Sequence, residues 1–334
     1  MRPIWKRFRH RLEAAGLRLL AWLVPRLPRR ACVALARGLG WIYWKLDRRG
    51  RAVALANLQA AFGEKYSPAE RTRIARASFQ NFARALLDLF WAQRLNRRNY
   101  SRWLRLENFD ENLHAIKAAH GAIIPIVTHF GGYEWVSLSG GFVGLESWVV
   151  TQEFKNSRLD AIFAHLRGHS GMRPVGREQS MLKMLRALKK KDGGAGLLVD
   201  LTLRPTMPSA ALSVFGGLKI CATIMHAVLH ARTGVPLTPL TGEPLPDGTC
   251  VVTAHPPLTF PPTATHAEIA QAVWDFFETF IQRRPDLWLW SYKHFRYRPG
   301  DAAPEMARRY PFYSQVSPAF DRLIAEQAAA SAAR

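Results

Sequence analysis

His129 and Glu134 close the stretch Ala122-Ile-Ile-Pro-Ile-Val-Thr-His-Phe-Gly-Gly-Tyr-Glu, and no other pair in the chain points so directly to chemistry. A histidine takes and gives protons near neutral pH. A carboxylate beside it fixes its tautomer and balances the imidazolium charge. Together they would make a general base able to draw a proton from a hydroxyl. Gly131 and Gly132 lie between them, and a glycine turn lets backbone amides approach a developing oxyanion. Five positions is a poor helical spacing, because side chains three or four apart share a helix face. The pair therefore requires a turn that folds the carboxylate back onto the ring. The competing reading is a buried histidine followed by a glutamate that favours the start of a helix. Zinc fits less well, since the metalloprotease pattern needs two histidines on one helix face and no second histidine lies near.

Some element must deliver these groups. Residues 122–128 form an apolar, β-branched run, a strand that presents His129 at its carboxyl end, where α/β sheets place their crevices. The rest of the chain alternates in the same manner. Helical patterns cover 66–95, 159–167, 180–191, 223–233 and 267–283, and strand patterns cover 148–151, 196–200, 235–240 and, as an edge strand, 251–254. Within 267–283 the residues Ile269, Val273, Phe276, Phe277 and Phe280 are expected in the core. No linker or repeat divides the chain. The expected layout is residues 1–50 as basic amphipathic helices, 51–318 as one catalytic domain and 319–334 as an Ala-rich tail.

The motif order resembles the lysophospholipid acyltransferase superfamily with its His-x4-Asp/Glu motif. More closely, it resembles the bacterial lipid A biosynthesis acyltransferases of the lauroyl/myristoyl group. Besides the His129 motif, the similar pieces are Asn57-Leu58…Phe62, the helix carrying Phe79 and Asn81, and Asn156…Asp160 leading to Arg167. They continue with Gly196…Asp200, Val214-Phe215-Gly216-Gly217 with Thr223, and Arg284-Pro-Asp-Leu-Trp288-Leu-Trp290-Ser-Tyr-Lys293-His294-Phe-Arg296-Tyr-Arg298. The resemblance covers most of the chain. It implies a mixed central sheet flanked by helices, similar to glycerol-3-phosphate acyltransferase. It also implies transfer of a fatty acyl chain from an acyl carrier protein or CoA thioester to a hydroxyl of a lipid A precursor. His129 would be the base and Glu134 the group that orients it. Arg167, Asp200, Lys293, Arg296 and Arg298 would bind substrate or brace the site, and no cofactor or metal is implied. Leu201-Thr-Leu-Arg204 after Asp200 and Lys293-His294-Phe depart from the family pattern, which leaves other acceptors open: a phosphatidylinositol mannoside, an ornithine lipid or a lysophospholipid.

Charge and hydropathy patterning agree with a membrane-facing enzyme. The net charge is +22, and through residue 51 there are fourteen Lys and Arg against Glu13 and Asp47. Nucleic-acid binding is the usual rival for so basic a chain. Here the cations alternate with Trp5, Phe8, Trp22, Trp41 and Trp44, the composition of a segment lying in a membrane interface. Pro25, Arg26, Arg29 and Arg30 interrupt the ~20 apolar residues a spanning helix needs. The expectation is a monotopic or singly anchored protein on the anionic cytoplasmic face of a bacterial inner membrane. The basic surface, including Lys189-Lys190-Lys191 and Arg283-Arg284, would then attract an acidic acyl carrier protein and a phosphorylated glycolipid. Cys32, Cys221 and Cys250 are too widely spaced for a metal pattern and odd in number, so no disulfide framework is expected. A hydrolase would need a nucleophile, and no Gly-x-Ser-x-Gly elbow is present. A noncatalytic basic membrane-binding protein is the remaining alternative.

Overall fold

The computed structural model describes residues 2–151, 154–176, 179–191 and 193–332. Four helices come first: α1 (Arg2–Leu23), α2 (Arg29–Leu46), α3 (Arg48–Phe62) and α4 (Pro68–Trp91). An alternating stretch follows, with β1 (Leu104–Glu107), α5 (Ala115–His120), β2 (Ile124–Val127), α6 (Tyr133–Phe142) and β3 (Ser147–Thr151). It continues through α7 (Ser157–Gly168), β4 (Arg173–Gly176), α8 (Ser180–Lys189) and β5 (Gly194–Leu198). Next come the hairpin strands β6 (Ser209–Val214) and β7 (Leu218–Thr223), then α9 (Met225–Thr233), β8 (Leu237–Pro244), β9 (Cys250–Ala254) and α10 (His266–Arg283). The chain closes with β10 (Tyr297–Arg298), α11 (Pro304–Arg309), β11 (Gln315–Val316) and α12 (Pro318–Ala332).

Seven strands form one sheet in the order β1-β9-β8-β2-β5-β3-β4, parallel throughout except for the antiparallel β8–β9 pair. This is the mixed sheet flanked by helices that the family resemblance implies. Every residue of β2 is buried, as expected of a central strand covered on both faces. Two long helices start at capping boxes, Ser67 with Glu70 for α4 and Thr265 with Glu268 for α10.

Several boundaries differ from expectation. The strand at 250–254 is not an edge: β1, which no pattern indicated, pairs outside it. β5 ends at Leu198, so Asp200 lies two residues beyond the strand. Phe276 and Phe280 are only partly buried and pack edge-on against His255, whereas Ile269, Val273 and Phe277 are core.

Packing does not break at residue 50. α2 lies along α4 through Cys32, Ala36, Gly40 and Trp44, and a Cβ on Gly40 would fall 2.4 Å from the Gln80 Cα, so only glycine permits this approach. Arg29 is buried and pairs with Asp88 of α4 at 2.6 Å. The Ala-rich tail is also held. Phe320 is fully buried against Cys221 and Tyr297, and Gln327 accepts from the Ala211 amide at 2.7 Å. Residues 333–334 of that tail lie outside the described residues.

Candidate active site

Parallel pairing builds the centre of the site. β2 and β5 are neighbours with Ile126 opposite Leu197 and Val127 opposite Leu198. Two residues further on, each strand delivers a polar side chain past its carboxyl end: His129 from one and Asp200 from the other. The amide of Val199 donates to the Val127 carbonyl at 3.0 Å, which keeps the two exits in step. His129 Nδ1 meets Asp200 Oδ1 at 2.8 Å, and the His129 amide donates to Oδ2 at 3.0 Å.

Asp200 is fully buried and has a third contact, the Trp288 indole N–H, which donates to Oδ2 at 2.8 Å. Burial pushes its carboxyl up, but the facing His129 and the Trp288 donor more than offset this and hold it below the usual carboxylate value. An ionised Asp200 accepts from Nδ1–H, leaving Nε2 of His129 as the free proton acceptor. Trp288 is placed in turn by the closing segment. Phe130 bridges to Trp288, the His294 ring stacks on the indole at 3.9 Å, and Ser78 of α4 donates to the Trp288 carbonyl. Asn57 of α3 donates to the carbonyls of Trp290 and Tyr292 at 2.8 and 2.7 Å.

Glu134 does something other than the sequence predicts. It is the second residue of α6, 3 % exposed, and Arg167 of α7 holds it through two bonds, Nη2 to Oε1 at 2.6 Å and Nε to Oε2 at 3.1 Å. The turn does not fold Glu134 back onto His129; the partner of the ring is Asp200. The reason is geometric. The chain enters α6 directly after Gly132, which sends Glu134 toward α7 while β5 brings Asp200 beside the ring. Tyr133 lies between the two pairs, 5.0 Å from the His129 ring by centroids. Burial and the nearby Glu134 carboxylate push its phenol well above the usual value, with Arg167 acting in the opposite direction.

The glycine turn also differs. The Gly131 amide donates to the Leu287 carbonyl at 2.9 Å and the Gly132 amide to the Gly242 carbonyl at 3.0 Å, so neither is free to bind an oxyanion. Gly131 is required by shape: its φ is +58°, and a Cβ there would sit 1.8 Å from the Gly242 oxygen. Asn81 caps the turn from α4, donating to the Gly131 and Leu287 carbonyls at 3.2 and 3.0 Å. Lys293 and Arg296 lie with Arg49, over the rings of Tyr313 and Tyr292, and Arg298 is in β10. No hydrogen bond among the described residues joins these three to His129, Glu134 or Asp200. Trp288 and His294 are the members of this segment that meet the dyad. Arg284 is tied to Asp286 and Glu243 and so is not a free surface cation.

Between β2, β5 and α6 lies a narrow apolar slot of about 30 Å³, room for roughly one water molecule. Pro125 and Val127 of β2 and Gly196 and Leu198 of β5 form one wall, and Val136, Ser137 and Gly140 of α6 cover it. It begins within two residues of His129 and of Asp200 and runs toward Leu145 and Ser147. An alkyl chain is wider than a water molecule, so it would lie in this slot only once α6 shifts away from the sheet, and its carbonyl would then be presented near the base.

Comparison with known proteins gives one strong finding. The model of the family described as bacterial lipid A biosynthesis acyltransferase matches residues 6–297. No curated protein matches the chain significantly.

Proposed function

The chain belongs to the bacterial lipid A biosynthesis acyltransferase family, whose members move an acyl group to a lipid acceptor, and from that premise we propose that it acylates a hydroxyl of a lipid A precursor or related glycolipid. The donor is a fatty acyl thioester of acyl carrier protein or CoA. The observation that carries this reading is the His129–Asp200 pair, held by Trp288 above an apolar slot.

The acceptor hydroxyl is a weak nucleophile, so Nε2 of His129 takes its proton as the oxygen attacks the thioester carbonyl. Asp200 fixes the Nδ1–H tautomer and balances the imidazolium charge, the part played by the buried aspartate of hydrolase triads. Collapse of the tetrahedral intermediate breaks the C–S bond, and Nε2 returns its proton to the leaving thiolate. One ester forms, one thioester is lost, and no acyl-enzyme intervenes. With the Gly131 and Gly132 amides committed elsewhere, Arg167 is the cation that borders the site through Tyr133, held there by Glu134.

The membrane reading rests on α1 and α2. Trp5 and Leu46 are 67 % and 76 % exposed, and Phe8, Leu12, Leu19, Trp22, Trp41 and Ile42 are exposed with them among many arginines. No helix of the described residues is long and apolar enough to cross a membrane. This pattern suits helices lying on the anionic cytoplasmic face of an inner membrane.

The deciding experiment measures acyl transfer from an acyl carrier protein thioester to a panel of lipid acceptors in detergent micelles. Wild type is compared with His129→Ala. Transfer to one acceptor that vanishes in the variant is the expected result. A variant as active as wild type, or thioester lost only to water, would refute it.

A further inference from the structure

A second pocket, of about 380 Å³, opens where the chain turns from α1 into α2. Arg29, Arg94, Arg102, Asn99, Trp91 and Trp103 line it, and no carboxylate does. Trp103 immediately precedes β1, at the edge of the sheet. Two strands separate β1 from β2, so the pocket is on the order of 14 Å across the sheet from the His129 exit.

The three cations are in different states. Arg29 is 4 % exposed; its Nε donates to the Gly248 carbonyl and its Nη1 to Asp88, both at 2.6 Å, while Nη2 has no hydrogen-bond partner. Asp88 is already shared with Arg84 at 3.6 Å. The buried guanidinium lies 5.1 Å from the Trp91 ring and 4.4 Å from the Trp135 ring, so it is packed between indoles and forms the positive floor of the pocket. Arg102 is exposed and has no side-chain partner among the described residues. Arg94 makes one long hydrogen bond, to the Leu27 carbonyl at 3.4 Å, and its guanidinium lies 5.5 Å from the Trp91 ring. The first turn of α2 adds to the positive field, because it carries no acidic residue and Pro28 provides no side-chain cap.

The surroundings indicate what the anion is attached to. Trp91 and Trp103 meet edge to face at 5.0 Å and give the pocket an aromatic wall, more than a bare ion needs. At the end of α1, Trp22 and Leu23 are exposed, and the Arg26 guanidinium lies 4.3 Å over the Trp22 ring. Indoles and arginines so placed sit at headgroup level in a membrane interface. We propose that this pocket binds the phosphate of a phosphorylated lipid headgroup, in a site separate from that of His129. Phosphate oxygens suit converging guanidiniums, which bind them through paired N–H donors. The assignment does not depend on the acyl-transfer chemistry.

Calorimetric titration of the full chain in neutral micelles at 0.15 M salt tests it, with dihexanoyl phosphatidic acid and inorganic phosphate as the two probes. Arg94→Gln/Arg102→Gln is compared with Arg73→Gln/Arg76→Gln, which removes the same charge from the opposite end of α4. All four positions are exposed, so both variants should fold, as unchanged melting temperatures would verify. The expected result is saturable binding of the lipid, at least tenfold weaker in the pocket variant and within twofold of wild type in the α4 control. Inorganic phosphate should bind at least tenfold more weakly than the lipid. Equal losses in the two variants would reduce the pocket to general surface charge, and equal affinity for the two probes would overturn the lipid assignment. Absence of saturable lipid binding would overturn the site altogether.

Discussion

Trp288 and His129 are tied to the same oxygen of Asp200: the indole N–H donates at 2.8 Å and the His129 backbone amide at 3.0 Å. The other oxygen is left for the imidazole. The carboxylate is thus oriented by two donors before it orients anything itself, one from the exit of β2 and one from the segment after α10.

Replacing Asp200 by Asn should therefore disable the base with little change in fold. An amide can donate to Nδ1 and trap the wrong tautomer, and in a comparable triad that change costs about 10⁴-fold in rate. We expect kcat to fall by roughly 10³-fold or more with KM nearly unchanged. Steady-state kinetics of acyl transfer check this; a loss under tenfold would remove Asp200 from the mechanism.

Trp288→Phe keeps the ring but removes the donor to Asp200. Loss of a hydrogen bond to a buried charge should cost about 1–3 kcal/mol of stability. It should also raise the Asp200 pKa, moving the acid limb of the activity profile to higher pH. A stability loss with an unmoved acid limb would mean that Trp288 only packs.

The Glu134–Arg167 pair can be separated into structure and function. Arg167→Ala leaves a buried carboxylate without its cation and should cost about 3–5 kcal/mol. Glu134→Gln/Arg167→Met removes both charges and should recover most of that in urea melts. If acyl transfer returns together with stability, the pair serves the fold alone; we expect that it does not return.

Acid should destabilise the protein through two histidines. His226 is buried, both its ring nitrogens lack partners, and burial lowers its pKa from 6.5 to about 3. Burial likewise takes His294 from 6.5 to about 4, although Asp200 pulls the other way. Both folded values lie below the unfolded one, so the unfolded chain binds the extra protons. Stability is complete above pH 6.5 and falls as pH drops through the window from 6.5 toward 4, by up to about 1.4 kcal/mol per pH unit for each group. His226→Leu should flatten this slope by about half without lowering stability at pH 7. Urea midpoints at three pH values decide it, and an unchanged slope would count against the assignment.

Gly196 offers a test of the slot. Its added methyl in Gly196→Ala would lie 3.0 Å from Val149 Cγ2 and 3.9 Å from Pro125 Cγ. Transfer of long acyl chains should drop several-fold more than transfer of short ones when donors of increasing length are compared. An unaltered length profile would show that the chain lies elsewhere.

The central elements were legible because their signals are local. The apolar run of β2 and the period of α10 are each written within a few residues. β1 was missed because four residues, Leu-Arg-Leu-Glu, carry too little pattern. His129 was legible at the end of its strand, and its partner was not. Glu134 is near in sequence, whereas Asp200 reaches the ring only through strand pairing that no local spacing encodes. The glycines signalled a turn, but not which carbonyls would take their amides. Those acceptors, Leu287 and Gly242, are each over a hundred positions away.

The strand register that joins His129 to Asp200 spans 71 residues of chain, and Trp288 joins from 88 residues further on. The active centre consequently has no local precursor. On a ribosome, nothing shorter than the chain through Trp288 can hold the base in place. In refolding, recovery of activity should lag the return of helical signal, since long-range pairing comes after local structure. The site is a late product of folding, and the appearance of activity marks the moment when three distant segments have met.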